Sequence, residues 1–178
     1  SISNFLRLEL KKETGVDGNI EYCKINPQYN LKVNGKRIIK KYGLQFPTLL
    51  YVGRISPHKG VDILIKAFRV VQKAFPQARL VIVGKHTFEG YSKKLHQLTA
   101  GDSHIIFVGF AEDKELPEYY GACDVYTSCT QWEGFNLPAV EAQACGRKVI
   151  VFNVGSHTEV VKTGKGVLVE KISAEEFG

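Results

Sequence analysis

From residue 48 onward, short and uniformly apolar runs alternate with segments whose apolar residues recur every three or four positions. The runs TLLYVG (48–53), ARLVIVG (78–84), HIIFVGF (104–110), DVYTSC (124–129), KVIVFN (148–153) and GVLVE (166–170) have strand length. Between the first two, GVDILIKAFRVVQKAF (60–75) carries Ile63, Ala67, Val70, Val71 and Ala74 at helical spacing and is stopped by Pro76. YSKKLHQLTA, KELPEYYGAC, LPAVEAQACG and HTEVVKTG read as further helices, and the terminal ISAEEFG as the start of one more. Strands apolar throughout are buried on both faces, and their alternation with helices requires right-handed crossovers and a parallel sheet. The expected fold is α/β: a doubly wound, Rossmann-like parallel sheet of about six strands, with ligands bound beyond the C-terminal strand ends.

Residues 1–47 break this rhythm. SNFLRLELKKETG reads as a helix capped by Ser3 or Asn4 and closed by Gly15, IEYCKI as a strand, and NPQYNLKVNGKRIIKKYG as a loop followed by a basic helix. The expected division is a linker segment with a basic helix over 1–47 and one folded domain over 48–178.

Composition adds exclusions. With 178 residues, 44% hydrophobic and 24% charged, the chain suits one soluble domain, not a disordered tract. No apolar run approaches the roughly 20 residues of a membrane-spanning helix, and the N-terminus lacks the pattern of a secretory signal. Cys23, Cys123, Cys129 and Cys145 form no C-x-x-C pair, so reduced thiols and an intracellular setting are expected, without a metal or redox site. The net charge of +6 is uneven: residues 1–50 hold nine Lys and Arg against four Asp and Glu. A nucleic-acid reader carries its basic face on the folded core, so no nucleic-acid partner is expected. A solvated basic surface is, beside a membrane or an acidic partner.

Three segments at the ligand-binding edge carry chemistry. In Gly53-Arg54-Ile55-Ser56-Pro57-His58-Lys59-Gly60, the glycine admits a ligand to the backbone, and Arg54 and Lys59 suit a diphosphate; the plainer alternative is two exposed cations flanking a turn. Glu133 and Glu141 lie eight residues apart around Gly134-Phe135-Asn136-Leu137. In a continuous helix they would be separated by about 12 Å of rise, which suits two parts of an elongated ligand; alternatively Glu133 caps the helix and Glu141 is solvated. In Val154-Gly155-Ser156-His157-Thr158-Glu159, the small residues and Glu159 either close on a ligand or cap the next helix. The five histidines show no metal spacing, and G-x-G-x-x-G, Walker and G-x-S-x-G signatures are absent.

Taken together, these segments resemble the C-terminal half of a family 4 (group 1) retaining glycosyltransferase of the two-lobed GT-B fold. GRISPHKG resembles its G-R-x-x-x-x-K-G element, and HIIFVGF with KELPEYYGACDVY its F-x-G…E-L…Y…A-D-V segment. EGFNLPAVEAQACG resembles the helix carrying its E-x7-E pair, and VGSHTEVVKTGKGVLV its G-G-x-x-E-V-V…G-x-L-V end. The resemblance implies that Arg54 and Lys59 hold the donor diphosphate and Glu133 sits against the transferred sugar. The backbone of Gly134, Phe135, Asn136 and Leu137 would surround the sugar hydroxyls and phosphates, and Glu141 would take the ribose. Gly109 and Phe110 would follow the base, and Gly53 and Gly84 would line the cleft. No cofactor and no metal are implied. The chain would be one GT-B lobe, with the 1–47 segment between lobes, and the acceptor-binding N-terminal lobe is expected to lie outside it, leaving little turnover by this chain alone. The expected activity is transfer of a hexose, with mannose favoured, from a nucleotide-diphosphate sugar to a glycan or lipid acceptor, in the cytoplasm or at the inner face of the membrane. A nucleotide-sugar epimerase and a non-catalytic nucleotide-binding module are the alternatives. Asn136 and Ser156 stand where the family motif has glycine, and a side chain at 136 is expected to narrow the room beside the sugar.

Overall fold

The computed structural model describes residues 1–170 and 173–177. Six strands, β1 (Thr48–Val52), β2 (Arg79–Val83), β3 (Ile105–Gly109), β4 (Val125–Ser128), β5 (Lys148–Phe152) and β6 (Gly166–Val169), form one sheet in the order β3-β2-β1-β4-β5-β6. Every neighbouring pair is parallel. The order reverses between β1 and β4, and in a sheet of this kind that switch point is where a crevice opens at the C-terminal strand ends.

Successive side chains of a strand point to opposite faces, and both faces here are covered. Leu49, Tyr51, Leu80, Ile82 and Phe152 meet α3 (Val61–Ala74), α4 (Glu89–Thr99) and α8 (Ala174–Phe177) on one side. Leu50, Val52, Val81, Tyr126, Val149 and Val151 meet α2 (Lys36–Tyr42), α5 (Leu116–Ala122) and α6 (Leu137–Ala144) on the other. All of β1 is buried, whereas the edge strands β3 and β6 are mostly half-buried because each has a neighbour on one side only. The longest helix, α3, buries Val61, Leu64, Ile65 and Phe68 at helical spacing and ends at Phe75, the residue before Pro76. The ISAEEFG helix is present as α8, with Ile172 and Gly178 outside the described residues.

In the first 47 residues α1 (Asn4–Thr14) follows an Ser3 N-cap, whose Oγ accepts the Leu6 N–H at 3.1 Å, and closes at Gly15 in the left-handed region. The basic helix is α2, closed by Gly43. IEYCKI is not a strand: it crosses the rim of loops above the sheet, where there is no strand edge to pair with, and its Tyr22 ring contacts Phe135 instead. HTEVVKTG supplies only the single turn α7 (His157–Val160), because the chain turns at Lys162–Lys165 to enter β6.

Candidate functional site

The loops after β1 and β4 enclose a cavity of about 410 Å³ at the switch point. Arg54 leaves β1 into it, and Lys59 ends a 3₁₀ turn (Pro57–Lys59) before α3. Glu133 enters from the β4–α6 loop, and Lys59 Nζ donates to its Oε2 at 2.6 Å. The two side chains are only 17% and 15% exposed, which makes this a largely desolvated ion pair. Arg54 is exposed, and its guanidinium has no hydrogen-bond or ion-pair partner among the described residues, its carbonyl oxygen accepting the Tyr51 hydroxyl at 2.8 Å. The backbone N–H groups of Gly134, Phe135, Asn136 and Leu137 likewise have no partner among the described residues, and all four residues line the cavity. Unsatisfied N–H groups beside an unpaired guanidinium form an anion-binding surface.

Next to this cavity, sharing Gly53 and Arg54 with it, lies a shallower one of about 270 Å³ lined by Gly84, Lys85, Phe110 and Asp113. Phe110 is 63% exposed, and Lys85 Nζ stands 4.4 Å from its ring centroid. That leaves one aromatic face and a cation at a site open to a planar group. Gly84 lies against β1: a Cβ there would fall on the Gly53 carbonyl oxygen, at a φ of +152°. Gly109 shapes the turn and not the wall, its carbonyl accepting the Gly84 N–H at 2.8 Å.

Glu141 occupies a third cavity of about 210 Å³, with Tyr29, Asn26, Asp113 and Leu137. Burial pushes its carboxyl above the usual carboxylate range, partly offset by hydrogen bonds from Tyr120 and Tyr29. The Tyr120 hydroxyl donates to Glu141 Oε2 at 2.7 Å. No continuous helix joins Glu133 to Glu141, in keeping with a helix read from Leu137 onward. Helix α6 begins at Leu137, so Glu133 lies on a loop and the two carboxylates face different cavities. Glu133 does not cap α6 either; Asn136 does.

Asn136 also corrects the expectation of a crowded sugar site. At φ 62° it is left-handed, the conformation a glycine would adopt without cost and which asparagine tolerates better than most residues. Its side chain turns inward. Oδ1 accepts the Tyr126 hydroxyl at 3.2 Å and the Ala139 N–H, while Nδ2 donates to His157 Nε2 at 2.8 Å. His157 Nδ1 contacts the Phe152 carbonyl oxygen at 2.6 Å, which assigns the ring proton to Nδ1. Burial lowers the His157 pKa, consistent with a neutral ring.

In the β5–α7 loop Ser156 takes the N-cap position of α7 without a side-chain cap bond, and the loop makes two further contacts. Ser156 N–H donates to the Glu133 carbonyl at 3.1 Å, and a Cβ on Gly155 would land on that same oxygen, so this loop fixes the peptide that carries Glu133. Glu159 caps not its own helix but α1, 154 residues away: its two carboxylate oxygens accept the Asn4 and Phe5 N–H groups at 2.7 Å each. Helix α1 thereby joins the site, with Ile2 and Leu6 lining the main cavity and Phe5 edge-on to Trp132 at 6.0 Å. Nothing in the local spacing announces a cap between such distant residues. Among the described residues, no cluster of His, Cys, Asp and Glu could hold a metal ion, and no helix is long and apolar enough to cross a membrane.

Residues 34–178 match the family model described as glycosyl transferases group 1. Mannosylfructose-phosphate synthase of Agrobacterium fabrum is 28% identical over 150 residues, covering 79% of this chain and 33% of that protein. HepE of Anabaena, crystallised with UDP and glucose, superposes with a TM-score of 0.87 at 25% identity over 99% of this chain and 50% of that one. The C-terminal domain of the group 1 glycosyl transferase LpcC from Francisella tularensis superposes with a TM-score of 0.75 at 30% identity, covering 86% of this chain and 83% of that domain. The chain spans about a third of the length of the curated relatives it matches. By its sequence over residues 34–178 and by its fold, the chain belongs to the group 1 glycosyl transferases.

Proposed function

We propose that this chain is the donor-binding lobe of a retaining glycosyltransferase, acting on a nucleotide-diphosphate hexose. The observation that carries the reading is the convergence, at one switch-point cavity, of an unpaired Arg54, the Lys59–Glu133 pair and four unpartnered N–H groups. A diphosphate placed there meets Arg54, Lys59 and the 134–137 amides. As the bond from the anomeric carbon to the diphosphate oxygen breaks, negative charge grows on the leaving group, and fixed cations stabilise it without reorganising. Glu133, held by Lys59 and by the β5–α7 loop, faces the sugar; attack by the acceptor hydroxyl on the same face, its proton passing to the departing diphosphate oxygen, retains the anomeric configuration. The Phe110–Lys85 cavity takes the base and Glu141 the ribose hydroxyls. The cations do the work a metal would do, so no metal is assigned. The acceptor, a glycan or lipid, is bound by an N-terminal lobe, at the cytoplasmic face of the membrane. Mannose is the proposed hexose, supported by the mannosylfructose-phosphate synthase relative, and UDP is the first nucleotide to try, supported by the HepE complex.

Calorimetric titration with UDP, GDP and ADP tests this. One nucleotide is expected to bind, and Arg54→Ala to weaken it tenfold or more, since a hydrogen bond to a charged group contributes about 1.5–3 kcal/mol. Because Arg54 has no partner to lose, the variant should unfold at the wild-type denaturant concentration. A folded protein that binds none of the three, or an Arg54→Ala variant that binds as well as wild type, would overturn the reading.

A further inference from the structure

The cavity beside Glu141 is not built by the α/β body alone. Its outer wall is Lys24, Ile25, Asn26, Gln28 and Tyr29, from the segment that precedes α2. That segment is tied down at two points. Gln28 Nε2 donates to the Asp113 carbonyl at 3.2 Å, bridging to the loop after β3. Tyr29 is 7% exposed and stands edge-on to Tyr120, with ring centroids 5.6 Å apart and planes at 83°. Tyr120 is fully buried, and its hydroxyl holds Glu141 Oε2. An unrestrained glutamate has three rotatable bonds to order before both its oxygens can face a vicinal diol. Here one oxygen is already fixed by Tyr120, and the order passes outward through Tyr29 to Gln28.

We propose that Gln28 and Tyr29 form a strap that completes a vicinal-diol subsite. By holding Tyr120 against Glu141, the strap presets the carboxylate that discriminates a ribonucleotide from its deoxy counterpart. Gln28, Tyr29 and Tyr120 are positioning residues, acting through Glu141. The inference rests on the nucleotide-binding reading above and goes beyond it, because it makes sugar recognition in the nucleotide depend on a segment outside the sheet.

The test is titration of the whole chain with UDP, GDP and ADP and with their 2′-deoxy forms. Wild type is expected to prefer the ribonucleotide by about tenfold or more, as the loss of a hydrogen bond to a charged group requires. Tyr29→Ala should collapse that preference to about two- to threefold by weakening the ribonucleotide and leaving the deoxynucleotide unchanged. Tyr29→Phe, which keeps the ring edge against Tyr120 but loses the hydroxyl's own bond to Glu141, should recover only part of it. Gln28→Ala alters a half-exposed side chain, leaves the core intact and should give an intermediate ratio. Proportional weakening of both nucleotides, or an unmoved ratio in Tyr29→Ala and Gln28→Ala, would overturn the strap while leaving the donor site standing. Failure of folded wild type to bind any ribonucleotide would instead remove the donor reading, and this inference with it.

Discussion

Glu159→Ala removes the acceptor for the first two N–H groups of α1 and should release that helix from the cavity it borders. Each bond is 2.7 Å long and charge-assisted, which by itself contributes about 1.5–3 kcal/mol. The acceptor also faces the positive end of the helix dipole, a contribution of about 0.3–1 kcal/mol already contained in those bonds. Since Glu159 and the helix start are half-buried, water replaces part of what is lost, and a net cost of about 2–4 kcal/mol follows. A domain stable by about 5–15 kcal/mol survives that, so the first effect is local. Trp132 provides the probe. It is the only tryptophan in the chain, and its ring meets Phe5 of α1. Emission should shift to the red in Glu159→Ala under native conditions, and amide hydrogens of residues 4–8 should exchange faster. Guanidinium unfolding should show the predicted loss, with Glu159→Gln at about half of it because one acceptor oxygen remains. A loss below about 0.5 kcal/mol, the level of an ordinary surface substitution, with unchanged Trp132 emission would refute the capping argument.

Gly155→Ala should cost at least about 1–2 kcal/mol, the penalty of an L-residue in the left-handed region, and more because its Cβ meets the Glu133 carbonyl; thermal unfolding measures it. Glu141→Gln should stabilise the fold at pH 7 while weakening ribonucleotide binding about tenfold. The native carboxyl titrates above its ordinary value of 4.5, so the folded chain holds a proton the unfolded chain has released; wild-type stability therefore falls as pH rises through that window, and the glutamine variant lacks the slope. Urea unfolding at pH 4 and pH 7 should show the two proteins alike at the lower pH and apart at the higher. Of the four cysteines, only half-buried Cys23 should react with a thiol reagent in the native state. Burial pushes Cys145 up to about 11 and Cys123 up to about 12, and raises Cys129 as well.

The sheet was legible because its strands are buried on both faces, and continuous apolar runs such as TLLYV and RLVIV have no other economical use. Arg54, Lys59 and Glu133 were legible as one group because loops after parallel strands gather at one edge, whatever their separation in sequence. The errors share a cause. IEYCKI has strand composition but no edge to pair with, and edge availability is a property of the finished sheet. The rise between Glu133 and Glu141 would hold only in a continuous helix, and α6 starts at Leu137 with Asn136 at its N-cap. Glu159 and Asn136 were each given a local role and found a distant partner. The Glu159 bonds span 155 and 154 residues and those of Asn136 to Tyr126 and His157 span 10 and 21, and contacts between different elements leave no periodic trace at either range.

The inward-facing Asn136 bears on how this sequence can change. Glycine fits the backbone at 136, yet Asn136→Gly now strands the Tyr126 hydroxyl and His157 Nε2 in the core, at about 1–3 kcal/mol for each group left unsatisfied. The replacement closest to the family motif is therefore barred until Tyr126 and His157 have changed, and neither has reason to change first. Asn136 is thereby tied to two buried partners, and change at the rim of this cavity is expected to move the three positions together or leave them alone.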